Sequence, residues 1–223
     1  MSMRLKSHLK YWGRNAFVWT GISLVCVLGF WIMNELSSAK YIQGIGLAST
    51  FLVYLTVVGA FVSMIAVIST FQTEIPRLVS MNVTRKAAVW GLTAGHAATA
   101  LLHMLLGILI WCIFGIGEAE MVVFIASLIT SVMLGFGGFG MLLGASVLRW
   151  GKIGTIIMAA AIMVITIGIS AFIAMGGKDS FRGFSMETVA ELNFWPLALA
   201  MAAFYLLAGA AAFMLTRKIE VRV

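Results

Sequence analysis

Two histidines stand where a charge is costly. His96 and His103, with Thr99 between them, share one face of a long apolar run at i, i+3 and i+7. An ionisable group inside such a run is a candidate for a ligand, a proton relay or a cavity wall. Two helical turns separate the imidazoles by about 10.5 Å along the axis, too far for one metal ion unaided. No third histidine and no carboxylate lies in the interior of any apolar run. The pattern therefore fits neutral imidazoles hydrogen-bonded to neighbouring helices, or a pair that lines a cavity or ligates haem.

A second constellation lies between two apolar runs, from Thr70 to Lys86. It is longer than a turn requires. Thr73 is placed to act as the N-cap of a short helix, and Pro76 falls in the first turn, where its missing N–H does no harm. Ile75, Leu78 and Val79 recur at i, i+3, i+4 and define one apolar face. Glu74, Arg77 and Ser80 point elsewhere. Met81 and Asn82 follow, and asparagine tolerates the left-handed conformation that ends a helix. Thr84 then caps the next run, with Arg85 and Lys86 at its start. Such a segment is an interfacial helix with snorkelling basic residues, or a docking knob for a partner.

The run Gly135-Phe-Gly-Gly-Phe-Gly140 contains the letters of a dinucleotide loop, but it follows no strand and lies inside an apolar run, so that chemistry fails its context. Gly140 and Gly144 form a GxxxG, and Gly137 extends the small face. Close helix packing is the expected role, within the chain or across a dimer.

The elements that carry these residues follow from composition. The chain has 223 residues, of which 62% are hydrophobic before its 23 glycines are counted and 10% are charged. The mean hydropathy is +1.06. Soluble enzymes, disordered chains and disulfide scaffolds are excluded. Cys26 and Cys112 sit in apolar runs and are expected to be small buried hydrophobes. A bilayer-crossing helix needs about 20 apolar residues. Six runs qualify: 16–34, 45–70, 87–116, 119–148, 153–176 and 194–216. Their interiors hold no Lys, Arg, Asp or Glu, each of which costs about 2.5–3.5 kcal/mol at a helix centre. The runs are continuous rather than alternating, which excludes a barrel. The expected fold is an all-α membrane protein with six transmembrane helices in a single domain. The first run, despite its basic flank and Ser37-Ser38-Ala39, is long for a signal peptide and is expected to be retained.

Lys and Arg in the connections set the orientation. The N-terminal arm, the second and fourth connections and the tail hold 12 basic residues against two acidic ones. The other connections hold three basic against six acidic. Both termini are thus expected to be cytoplasmic, and the net charge of +7 records topology, not nucleic-acid binding. Residues 1–15 place Leu5, Leu9 and Trp12, continued by Ala16, at helical spacing among Arg4, Lys6, Lys10 and Arg14. That pattern suits a basic helix on an anionic leaflet, with Tyr11 and Trp12 at headgroup level, or a plain positive-inside anchor.

The stretch Phe71-Gln72-Thr73-Glu74-Ile75-Pro76-Arg77-Leu78-Val79-Ser80-Met81-Asn82-Val83-Thr84-Arg85-Lys86 resembles the cytoplasmic segment between spans 2 and 3 of small bacterial ABC exporter permeases of the type 2 class. There a short helix is commonly followed by Gly-x-Thr-Arg-Lys/Arg. Here Asn82 replaces the glycine. The six spans, the basic N-terminal helix and the polar outer segment 177–193 agree with that family. The resemblance implies that residues 73–82 form a coupling helix docking on an ATP-binding subunit, with Glu74 and Arg77 as polar contacts and Arg85 beside them. It implies ATP and Mg on that partner and no cofactor on this chain. It also implies a homodimer or heterodimer with a second permease, in a bacterial cytoplasmic membrane. Uncharged spans suit an amphipathic peptide, a toxin or a lipid-like cargo.

Other classes stay open. Six-span substrate-capture subunits of vitamin importers also work with separate ATPases, though span 1 here lacks their small-residue patch. A haem subunit would use His96 and His103. An immunity protein would bind a toxin without transport. An enzyme is not expected. GxSG, HExxH and intramembrane Asp pairs are missing, and the third histidine, His8, lies on the basic arm.

Overall fold

The computed structural model describes the backbone of residues 3–37, 45–81, 83–114, 119–175 and 195–217, with side chains in most of these stretches. They form six helices: α1 (Met3–Ser37), α2 (Ile45–Ser80), α3 (Arg85–Phe114), α4 (Ala119–Trp150), α5 (Lys152–Met175) and α6 (Trp195–Thr216). No strand occurs among the described residues. Five helices, α1–α4 and α6, are long and apolar enough to cross a membrane. The fifth expected span coincides with α5, whose side chains are described as far as Val164. The outer segment 177–193 lies outside the described residues.

α4 is the hub, packed against α2, α3, α5 and α6. Its glycines make that position accessible. A Cβ at Gly140 would stand 3.0 Å from the Met64 carbonyl oxygen on α2. One at Gly144 would stand 2.8 Å from the Phe71 ring. The GxxxG face is therefore filled within the chain, by α2. The side chains at its contacts, Leu55 and Phe71 of α2 and Ile129, Met133 and Met141 of α4 among them, are fully buried. Outward faces are equally regular. Leu101, Leu105, Leu109 and Ile113 are exposed at four-residue intervals along α3, the lipid-facing stripe of a span. Cys112 is exposed on the same helix and Cys26 is half-buried, so neither is the buried hydrophobe their apolar surroundings suggested.

Two expected boundaries differ. The basic arm is continuous with span 1 in a single 35-residue helix. Its Trp12 is only 5% exposed. The indole lies over Gly91 and Gly95 of α3, the first so close that a Cβ there would meet Nε1 at 2.1 Å. Trp12 and Ala16 thus bury against protein instead of headgroups, while the side chains of residues 1–9 lie outside the described residues. Between α4 and α5 a single residue, Gly151, breaks the helix at φ +55. Its N–H donates to the Val147 carbonyl at 2.8 Å, and Gly154 presses on the backbone of Ser146.

Candidate functional site

Residues 73–80 are the last turns of α2 and not a separate helix. Thr73 does not cap. Its hydroxyl donates to the Ser69 carbonyl at 2.9 Å, the back-bond of a threonine inside a helix. Pro76 lies within the same helix, where it removes one backbone rung. The continuous apolar run through Thr70 carries the helix past the expected break. Ile75 is buried, and Leu78 and Val79 pack on the same core. Glu74 accepts a hydrogen bond from the Tyr11 hydroxyl of α1 and lies 3.6 Å from Arg77. The Arg77 side chain is 67% exposed and Met81 65%. Gln72, Thr73 and Ser80 are exposed with them.

The end is closed tightly. Ser80 Oγ donates to the Arg77 carbonyl at 2.7 Å. The Val83 N–H reaches the Leu78 carbonyl at 3.0 Å, the six-residue closure of a Schellman turn. Asn82 itself lies outside the described residues. Thr84 caps α3, its hydroxyl accepting from the Ala87 N–H at 3.3 Å. Arg85 turns away from the exposed face. Its Nη1 donates to the Arg217 carbonyl at 2.9 Å, and Arg149 Nη1 donates to the Leu215 carbonyl at 3.2 Å. Two guanidinium groups thus hold the C-terminal end of α6, where the helix dipole favours a cation. Sequence reasoning did not find this clasp. Its only signal is the shared membrane depth of the two arginines.

The histidine face is assembled from five helices. His103 is fully buried; its Nδ1–H donates to the Thr99 carbonyl at 2.9 Å, so Nε2 accepts from the Ser23 hydroxyl of α1 at 2.8 Å. Thr99 turns its own hydroxyl to the Gly95 carbonyl at 3.1 Å. His96 Nε2 lies 2.9 Å from Ser63 Oγ of α2. Its ring faces Gly137 of α4, where a Cβ would stand 2.1 Å from Cε1. On α6, Tyr205 lies beside it with ring centroids 5.5 Å apart. The Tyr205 hydroxyl donates to the Thr93 carbonyl at 2.5 Å.

Each serine thus meets an imidazole at the distance a Ser–His nucleophile needs. The remaining parts of such a site do not assemble. His96 Nδ1 is buried with no partner among the described residues, so no third group orients the ring. The cleft beside it, bounded by Trp12, Asn15 and Ser63, has a volume of about 20 Å³, enough for a water and not for a substrate. His103 has both nitrogens engaged and none to offer a haem iron. Among the described residues no three His, Cys, Asp or Glu come together to hold a metal. The arrangement ties helices together by hydrogen bonds.

Geometry and composition define a protein whose described elements are all helices, five of them long and apolar enough to cross a membrane. Comparison with protein-family models, curated proteins and solved structures gave no match.

Proposed function

We propose that the chain is the membrane-spanning subunit of an ATP-driven ABC transporter in a bacterial cytoplasmic membrane. It pairs with a second permease, identical or not, and exports an amphipathic or hydrophobic cargo. ATP and Mg are held by a separate ATP-binding subunit. The observation that carries this proposal is the cytoplasmic end of α2. Arg77 and Met81 stand out from it, while Ile75 and the Tyr11–Glu74 bond anchor it to the core and to α1. A push on the exposed face is transmitted to α1 and α2 because the anchored face cannot yield alone. The coupling segment here is the end of a long helix rather than a detached one, which makes the lever stiffer. The spans offer an ionic cargo no counter-charge, so an apolar or amphipathic one suits them.

The test is co-purification with ATP-binding subunits encoded beside it, followed by ATPase assay in liposomes. Arg77→Glu combined with Met81→Asp is expected to abolish association and coupling. Thermal stability should fall by no more than about 1 kcal/mol, since Arg77→Glu exchanges the attraction to Glu74 for a like-charge pair on an exposed helix face. Unchanged binding and coupling in the double variant would overturn the assignment.

A further inference from the structure

Three arginines meet where α6 ends. Arg85, at the start of α3, and Arg149, at the end of α4, each give one N–H to carbonyls two residues apart, those of Arg217 and Leu215. Arg217 stands on that same end and is exposed. A guanidinium carries five N–H donors, so most donors of each arginine stay unspent among the described residues. The protein does little to answer this charge. A helix C-terminus offers about half a negative charge. Six of the chain's eight acids belong to the first, third and fifth connections. Glu74 is taken by Tyr11 and Arg77. The tail after Arg217 brings Lys218 and Arg222 against Glu220, so it adds positive charge on balance. Like charges gathered at one point repel, and an anion from outside relieves that repulsion.

The surroundings select the anion. Beside Arg149, Trp150 is exposed, with the guanidinium carbon 5.9 Å from its ring centre. An exposed tryptophan at the end of a membrane-crossing helix marks headgroup depth. On α6, Leu207 and Met214 lie two turns apart on one face, each 70% exposed, and Arg217 follows Met214 by one turn. Basic groups thus border an exposed apolar face, in the order in which a phospholipid presents its phosphate and its chains. A soluble phosphate would use the first of these surfaces and leave the second bare.

We infer that Arg85, Arg149 and Arg217 bind the phosphodiester of one anionic glycerophospholipid at the C-terminal end of α6, with its acyl chains on the face that Met214 and Leu207 expose. Basic pockets between membrane helices hold such headgroups, and the planar guanidinium fork matches phosphate oxygens. The inference rests on the helices crossing a membrane and not on transport, so it stands or falls separately from the ATPase pairing.

The experiment uses the full chain extracted in mild detergent from vesicles of equal phosphatidylethanolamine and phosphatidylglycerol, washed, and weighed by native mass spectrometry. The wild type is expected to keep one phosphatidylglycerol in preference to phosphatidylethanolamine. A basic residue near an anionic leaflet is worth about a fivefold change in binding. Arg217→Gln should therefore lower retention about fivefold, and Arg149→Gln combined with it about 25-fold. Arg217→Gln leaves both clasped carbonyls in place, so it decides even if Arg149→Gln disturbs the end of α6. Arg14→Gln removes an exposed cation from α1, outside the cluster, and should change nothing. Equal losses at Arg14 and Arg217 would mean diffuse attraction to the leaflet and overturn the inference. No lipid or no headgroup preference on the wild type would do the same. So would displacement of the lipid by millimolar glycerol 3-phosphate, which marks a site for free phosphate. A rise of about fivefold or more in Glu220→Gln would mark this chain's own carboxylate as the occupant, and would also overturn it.

Discussion

His96 and His103 serve as ties between helices, and their worth is measurable at the level of single bonds. Interhelical hydrogen bonds in membranes average about 0.6 kcal/mol and reach about 1.7. A double-mutant cycle of Ser23→Ala and His103→Ala, read by unfolding in detergent, should return a coupling energy in that range. Gly137 tests the fit around the other imidazole. With a Cβ placed 2.1 Å from the His96 ring, Gly137→Ala should destabilise by about 1–3 kcal/mol, the usual cost of overpacking. Gly21→Ala, with nothing within 4 Å of its Cβ, should be neutral or gain up to about 1 kcal/mol of helix propensity. Parallel thermal melts distinguish the two. The shared face of His96, Thr99 and His103 was legible from spacing alone. Their partners were not. Ser23, Ser63, Gly137 and Tyr205 come from four other helices, and nothing in a local window links residue 23 to residue 103.

At the level of elements, local signals located the helices and misjudged two joints. Threonine is a good cap and a tolerable helix residue, so Thr73 alone cannot say whether a helix begins there. The apolar run before it decided for continuity, with a back-bond to Ser69. The basic arm was legible as a helix, but the burial of Trp12 on α3 was not, because its receptors are two glycines some 80 residues away, Gly91 and Gly95. The arginine clasp on α6 carries a prediction of its own. Cations at a helix C-terminus contribute about 0.3–1 kcal/mol each. Arg85→Ala and Arg149→Ala should therefore fray the last turn of α6, seen as faster amide exchange around residues 212–217. Exchange near the α6 N-terminus should be unchanged.

For the whole molecule, the charge asymmetry predicts which side each joint faces. With Cys26 and Cys112 replaced by alanine, single cysteines at Ser80 and Gly151 should react with a membrane-impermeant maleimide in inverted vesicles and not in intact cells. Labelling of both from outside would reverse the proposed orientation. That the chain is a helical membrane protein was plain from composition. That α4 is the hub was only faintly visible, in the glycines of 135–144, since small residues mark close approach without naming the partner.

Gly151 leaves two long helices joined by one non-helical residue. During synthesis such a pair has no slack. In the expected six-span topology α4 could not settle into lipid and wait for α5, because the joint would stay at the surface while both arms go in. In that topology the two would enter as one hairpin, with both made by the ribosome before either is secure. A tag inserted after Trp150 would relax that constraint, whereas a valine at position 151 would meet the left-handed backbone with a branched side chain and strain the turn itself. Biogenesis of this protein is therefore expected to be most sensitive at the one residue that joins α4 to α5.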